Sequence, residues 1–185
     1  MSRVAKTTVS ALAVGACSVA FATPAMAKTE HVTGGHATVS ESSQVTQFLH
    51  ALGITVTPIG PAKIGSGSMG MPMTGGELNV PTMGGVMLTK GGFKYTKGSR
   101  TLTVTGYKLT HVGHVAKLTA VVHGKRILIA TMTSPHVKMT TTHGKMSGPL
   151  RLSSAWAHLI NQLLGMHVVH GGESLGSLTA TVKMG

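Results

Sequence analysis

Residues 91–104 have the sequence GGFKYTKGSRTLTV, and this stretch decides the fold class. Phe93 and Tyr95 alternate with lysines before the turn KGSR, and Leu102 and Val104 alternate with threonines after it. An apolar period of two on both sides of a Gly-containing turn predicts a β-hairpin.

The same period continues on both sides of this hairpin. Tight turns at Val112-Gly113 and His123-Gly124 separate the later segments, which predicts antiparallel neighbours. We therefore predict an all-β fold, mainly an antiparallel sandwich or else a barrel. The further predicted strands cover 54–59, 107–109, 114–122, 125–133 and 175–184, with a short extended piece at 69–73 inside a Gly-rich loop.

Two segments have a helical period instead. Each follows a serine pair that can cap a helix, and each ends at a glycine, Gly53 or Gly165. These signals predict two short α-helices that flank the sheet. The two segments share one layout, a helix, a glycine and then apolar residues. This likeness is either an internal repeat or the layout that any helix before a strand has. As a repeat, the two segments could cover opposite ends of one sandwich. Their apolar stripes are Val45, Phe48, Leu49 and Leu52 in the first, and Trp156, Leu159, Ile160, Leu163 and Leu164 in the second.

The first 27 residues have the features of a cleavable signal peptide. Arg3 and Lys6 precede an uncharged apolar stretch over 7–21, and Ala25-Met26-Ala27 supplies the small residues that signal peptidase requires. We predict cleavage near Ala27 and a secreted or cell-envelope-associated protein. Lipidation of Cys17 is the alternative, although the residues after it stay apolar where a lipoprotein has a polar tether.

The predicted domain organisation follows from this cleavage. Residues 28–40 show no apolar period and are predicted to be a flexible N-terminal segment, and residues 41–185 form a single β-rich domain. No transmembrane segment is predicted in the mature chain, and the apolar stretch of the leader is too short to span a bilayer.

The composition of the mature chain argues against catalysis. It has no Asp and no Cys, and only four Glu stand against 14 Lys and Arg, a net charge of +10. Carboxylate dyads, Ca²⁺ or Mg²⁺ cages and Ser-His-Asp triads all need carboxylates close together. We therefore predict that the protein is not an enzyme.

The basic side chains are dispersed along the chain. Their longest run is Lys125-Arg126, and five aromatic residues remain after the leader, a pattern that does not indicate nucleic-acid binding. A dispersed positive charge supports an alternative function, a structural or surface protein that contacts anionic cell-envelope polymers.

Two groups of residues have the donor chemistry of a metal site. His111 and His114 flank a glycine turn and could chelate Zn²⁺ or Cu²⁺. Met69, Met71 and Met73 could bind Cu(I) through their thioethers, or could be the inner face of an ordinary strand. Copper or zinc binding is therefore a second alternative function.

Several segments together resemble the HtaA-like domains, which are secreted haem-uptake modules of Gram-positive envelopes. The resemblance spans about residues 45–185 and implies a two-sheet β-sandwich with short helices and a binding role in place of catalysis. It is carried by GGVMLTKGGF at 84–93, the Thr-rich segment 101–110, LTA at 118–120, RILIATM at 126–132, LSSAW at 152–156 and GGE at 171–173.

The resemblance also implies where haem would bind. In the family a Ser-Phe pair in the first helix is followed, three residues after the Phe, by the Tyr that ligates haem. Here Gln47 precedes Phe48, and Ala51 stands at the position of that Tyr. The remaining haem-ligand candidates are His50, Tyr95 and Tyr107, and we expect weak or no specific haem binding. The predicted function is a secreted, non-catalytic binding module or envelope-associated domain whose small ligand the sequence does not identify.

Overall fold

The computed structural model describes residues 28–185. The predicted signal peptide, its cleavage near Ala27 and the alternative lipidation of Cys17 lie outside the described residues.

Twelve strands and two helices make up the described chain. The helices are α1 (Ser43–Ala51) and α2 (Ser154–Leu164). The strands are β1 (Thr29–Glu41), β2 (Thr55–Ile59), β3 (Lys63–Gly65), β4 (Ser68–Asn79), β5 (Gly84–Thr89), β6 (Gly92–Lys97), β7 (Arg100–Val112), β8 (Val115–Val122), β9 (Lys125–Thr133), β10 (His136–Met139), β11 (His143–Leu152) and β12 (Ser174–Met184).

The strands form one sheet that closes on itself. Eight of them pair in the order β7-β5-β4-β1-β12-β11-β9-β8, and β8 pairs back with β7. The pairings are antiparallel, and β6, with β2 beside it, extends the sheet from the first half of β7. The prediction of an all-β fold with two short helices is confirmed, and the sheet is closed and barrel-like instead of divided into two stacked sheets.

The hairpin that decided the fold class is the β6–β7 pair. Phe93 lies opposite Val104, Tyr95 lies opposite Leu102, and Lys97 lies opposite Arg100 at the turn. The apolar members of these pairs are buried and the lysines and threonines between them are more exposed, as the period of two requires.

The core fills the inside of the closed sheet. Among its fully buried side chains are five methionines, whose flexible thioethers fill irregular space. No cysteine occurs after residue 27, so this packing stabilises the fold without a disulfide. These methionines are Met71, Met83, Met87, Met132 and Met146.

Both helices begin and end where their caps predict. The Ser42 hydroxyl accepts a hydrogen bond from the Val45 N–H, and the Ser153 hydroxyl accepts one from the Trp156 N–H. Gly165 ends α2 with a φ of +72°, a left-handed conformation that glycine adopts without strain. Neither of these helices is long and apolar enough to cross a membrane.

The prediction of a flexible segment over residues 28–40 is wrong. Thr29–Glu41 is a strand in the centre of the sheet, between β4 and β12, so this segment belongs to the β-rich domain. A register shift between Val32 and Gly34 changes which residues face inward, so buried Val32 is out of phase with buried Ala37 and Val39. This bulge hides the apolar period in the sequence.

The extended piece predicted around residues 69–73 is part of a longer strand. β4 runs from Ser68 to Asn79 and replaces most of the predicted Gly-rich loop. It too contains a register shift, between Met73 and Gly75, where glycines permit the bulge.

Candidate ligand-binding site

A cavity of about 320 Å³ lies between the two helices and the inner face of the sheet. Its volume is at the lower end of the range for small-molecule sites, roughly 300–1,000 Å³. Both helices contribute to its wall, α1 through Phe48 and Leu49 and α2 through Trp156 and Ile160. The interpretation that the helices cover opposite ends of the fold is therefore wrong.

All five aromatic residues of the described chain line this cavity. Two edge-to-face pairs form part of its wall, with ring centroids 6.1 Å apart for Phe93 and Tyr107 and 5.5 Å apart for Tyr95 and Trp156. Phe48 of α1 is the fifth ring. Edge-to-face packing holds aromatic rings in a fixed orientation, so most of this wall is preformed.

Two buried phenols lie in the cavity wall. The Tyr95 hydroxyl donates a hydrogen bond to the Met69 sulfur at 3.8 Å. Burial raises the pKa of Tyr95, the Glu41 carboxylate raises it further, and a hydrogen bond with Tyr107 acts in the opposite direction. Burial also raises the pKa of Tyr107, and the adjacent Tyr95 adds to that effect. Both phenols are therefore neutral at pH 7 and act as hydrogen-bond donors.

The two methionines of the wall are already hydrogen-bond acceptors. Met69 accepts from Tyr95, and the Met71 sulfur accepts from the Thr89 hydroxyl at 3.8 Å. Both side chains are buried on the same face of β4. Their thioethers give the cavity a soft, polarisable surface.

Glu41 is the acidic group at the junction of β1 and α1. The register places it opposite Gly176 of β12, and a Cβ at position 176 would overlap the Ser40 carbonyl oxygen. With a φ of +124°, this position requires glycine, which lets the two strands approach at the edge of the cavity. The Thr46 hydroxyl donates to Glu41 Oε2 at 3.3 Å.

The Glu41 carboxylate is half-buried and has no basic partner. Burial raises its pKa, and the hydrogen bond from Thr46 lowers it. Across residues 28–185, Glu30 makes an ion pair with a Lys, Glu77 and Glu173 each lie within ion-pair distance of a His, and Glu41 has neither partner. It is thus a partly desolvated negative charge that faces an aromatic cavity.

The segment between α2 and β12 completes the wall. The Asn161 side chain is buried and binds it through three hydrogen bonds, donating to the Val169 carbonyl at 2.8 Å and accepting from the Val168 and Val169 N–H groups at 3.0 Å each. Val168, Val169 and Glu173 line the cavity as a result. Glu173 is exposed and pairs with His170, Oε1 to Nδ1, at 3.1 Å.

The structure separates the residues that the sequence grouped as ligand candidates. Tyr95 and Tyr107 lie together in the cavity, whereas His50 is exposed on α1, and neither it nor Ala51 lines the cavity. Met69 and Met71 line it, while Met73, also buried, does not.

His111 and His114 have different environments. His111 is buried and donates from Nδ1 to the Met83 carbonyl at 3.1 Å, whereas His114 is exposed in the β7–β8 turn. The structure therefore does not bring the two rings into one site. Within residues 28–185 no three His, Cys, Asp or Glu side chains are grouped so as to hold a metal ion.

The residues of the cavity fit haem poorly. Haem iron is held in proteins by His, Tyr, Cys or Met ligands. No His lines the described cavity, so its possible iron ligands are two buried phenols and two thioethers that each accept a hydrogen bond. No Lys or Arg lines it either, so the two propionates would face Glu41 and Glu173 without a counter-charge.

Sequence reasoning missed three of the residues that define this site, Glu41, Phe48 and Trp156. The two aromatic residues were assigned only to helix packing, and Glu41 precedes a helix cap without any motif. One signal was available in the composition. Because only four carboxylates and five aromatic residues follow the leader, each of them is a candidate for a specific role.

The fold and the site together define a small all-β domain with an aromatic cavity between two helices. The C-terminal domain of HtaA from Corynebacterium glutamicum has this fold, with a TM-score of 0.72 at 13% sequence identity over 84% of this chain and 99% of that one. The N-terminal domain of HtaA from the same organism gives 0.68 at 12% identity over 83% and 98%. The heme binding protein HtaB, also from Corynebacterium glutamicum, gives 0.59 at 12% identity over 85% and 96%.

This chain therefore has the fold of the HtaA domains, as the resemblance of its sequence segments implied. No protein-family model matches the sequence, and no curated protein matches it closely.

Proposed function

We propose that this chain is an exported, non-catalytic binding protein that holds a compact, largely apolar ligand in the cavity between α1 and α2. One observation carries the proposal: all five aromatic side chains of the described residues converge on that cavity. The export rests on the predicted signal peptide.

The groups that the cavity offers support a non-catalytic role. Its polar groups are two neutral phenols, the indole N–H of Trp156, two glutamates, one glutamine and one serine. Glu41 has no His or Lys partner, and Glu173, which pairs with His170, is exposed, so no buried proton-transfer pair supports catalysis there. The likeness in fold to HtaB, a heme binding protein, supports a binding role of the same general kind.

The proposal is tested with 2-naphthylmethanol, a neutral aromatic probe, titrated into the purified protein by calorimetry. We expect one site per chain. The variant Phe48→Ala should weaken binding by roughly five- to tenfold, because it removes apolar contact area from the wall. Leu88→Ala, which truncates an exposed apolar side chain outside the cavity, should leave the affinity unchanged. Absence of saturable binding, or equal losses in both variants, would overturn the proposal.

Haem is the second candidate, because HtaB shares the fold. A haemin titration followed at the Soret band distinguishes it. We expect a gradual shift without stoichiometry that His50→Ala, Tyr95→Phe and Tyr107→Phe all share, since a cationic surface attracts propionates in any case. A sharp one-to-one shift that any one of these variants abolishes would establish haem capture instead.

The basic surface is a separate feature from this cavity. None of the 14 Lys and Arg side chains of the described chain lines it. Contact with anionic envelope polymers, the alternative from the sequence, has no defined site among residues 28–185.

A further inference from the structure

The charges around the cavity are the reverse of those on the rest of the protein. The mature chain has 14 basic and four acidic side chains, yet two of its four carboxylates and none of its Lys, Arg or His side chains line the cavity. An anionic ligand would therefore enter a site that offers it no counter-charge.

Glu41 has the features of a carboxylate that could bind a cation. It is half-buried, lacks an ion pair within the described residues and receives one hydrogen bond, from Thr46. A carboxylate in this position has lost part of its hydration without gaining a counter-charge, and an arriving positive charge would compensate for that loss. Burial raises the pKa of Glu41, as expected for a carboxylate that has lost hydration without gaining a counter-charge.

The aromatic wall has the complementary property. The faces of Trp, Tyr and Phe rings attract cations, most strongly where water is excluded. Glu41, Tyr95 and Trp156 line the same cavity, and the rings of Tyr95 and Trp156 pack edge to face with centroids 5.5 Å apart. A cation beside Glu41 would thus share the cavity with these two aromatic rings.

We propose that the cavity selects an organic cation, an ammonium group on an apolar or aromatic body, with Glu41 as its counter-charge and the aromatic wall around it. This inference rests on the proposed function and adds the charge of the ligand. The exposed Glu173, already paired with His170, has a weaker role at the rim.

The test compares three probes that share one ring system and differ in charge. They are 2-naphthalenesulfonate, 2-naphthylmethanol and (2-naphthylmethyl)trimethylammonium, each titrated calorimetrically into the purified protein at the same salt concentration. We expect the cation to bind at least about tenfold more tightly than the neutral probe, and the anion more weakly than either.

Two variants identify the source of the preference. Glu41→Gln should reduce the cation-to-neutral affinity ratio to about one, because it removes the charge and keeps the shape. Glu77→Gln is the matched control, since Glu77 is exposed, pairs with His31 and does not line the cavity. It should keep the ratio of the unaltered protein.

The outcomes separate the two proposals. If the neutral probe fails to bind, the proposed function is wrong and this inference falls with it. If the neutral probe binds and the cation binds no more tightly, the inference alone is wrong. A cation preference that Glu41→Gln retains would also overturn it, because the charge would then come from elsewhere.

Discussion

α1 and α2 line the same cavity but are fixed in the fold to very different degrees. Six of the eleven residues of α2 are buried, and this helix packs on β6, β7 and β9. None of the nine residues of α1 is buried, and its apolar residues Phe48 and Leu49 are only partly covered, as is Leu52 at its C-cap. Each helix has a serine N-cap, so the difference comes from packing and not from capping. The wall that α2 forms is part of the core, whereas the wall that α1 forms is fixed mainly through the two ends of the helix.

Truncation of one large residue in each helix gives the most direct test of this comparison. Trp156→Ala should lower the free energy of unfolding by about 3–5 kcal/mol, since it empties a buried site in α2. Phe48→Ala should lower it by about 1 kcal/mol, because Phe48 is partly exposed. Urea unfolding followed by far-ultraviolet circular dichroism measures both. Equal losses would show that α1 is as firmly packed as α2.

The hydrogen bonds of Asn161 extend the fixed wall beyond α2. Asn161→Ala should lower the free energy of unfolding by about 2–3 kcal/mol, because it leaves the buried N–H and carbonyl of Val169 and the partly buried N–H of Val168 without partners. It should also weaken binding of the neutral probe, since these valines line the cavity. Thermal denaturation and calorimetry provide the two measurements. Gln162→Ala, at the exposed neighbouring position, is the control and should change neither.

The smallest expected effect belongs to Glu41, at the start of α1. Its pKa is raised in the folded protein, so folding favours its protonated form. That stabilisation is fully present below its unfolded pKa of about 4.3 and is lost as the pH rises through the folded value. Glu41→Gln should therefore raise the free energy of unfolding at pH 7 by less than about 1 kcal/mol.

Below about pH 4 the difference between this variant and the unaltered protein should disappear, because both then have a neutral side chain at position 41. Urea unfolding at pH 3.5 and pH 7 measures it, and the comparison cancels the titration of every other group. A variant that is less stable at pH 7 would show that the carboxylate is stabilised by an interaction that the ion pairs do not reveal.

Local signals in the sequence predicted those elements whose structure depends on neighbours in the chain. The β6–β7 hairpin has its period and its turn within 14 residues, and α2 has a stripe of five apolar residues between Ser153 and Gly165. β1 has no such signal. Its partners β4 and β12 lie far away in the sequence, and the bulge after Val32 breaks its period.

The candidate site was predictable only in part, for a similar reason. Tyr95, Tyr107, Met69 and Met71 were singled out for their chemistry, and the fold brings them together. Glu41 was not, because its role depends on the absence of a basic partner in space, which no sequence pattern records. His50 was a candidate only through its position next to Ala51, and the helix directs it to solvent.

The position of β12 between β1 and β11 has a consequence for how the protein is made. β1 and β12 are the first and the last of the described strands, and they are paired from Val32–Met184 to Glu41–Gly176. The closed sheet therefore cannot form during synthesis until Ser174–Met184 has been added, and until then β1 and β11 both present unpaired edges. Contacts this distant in sequence form slowly. The chain therefore cannot complete its fold before almost all of residues 28–185 have been translated, and a polypeptide whose fold is incomplete can still be threaded through a narrow channel.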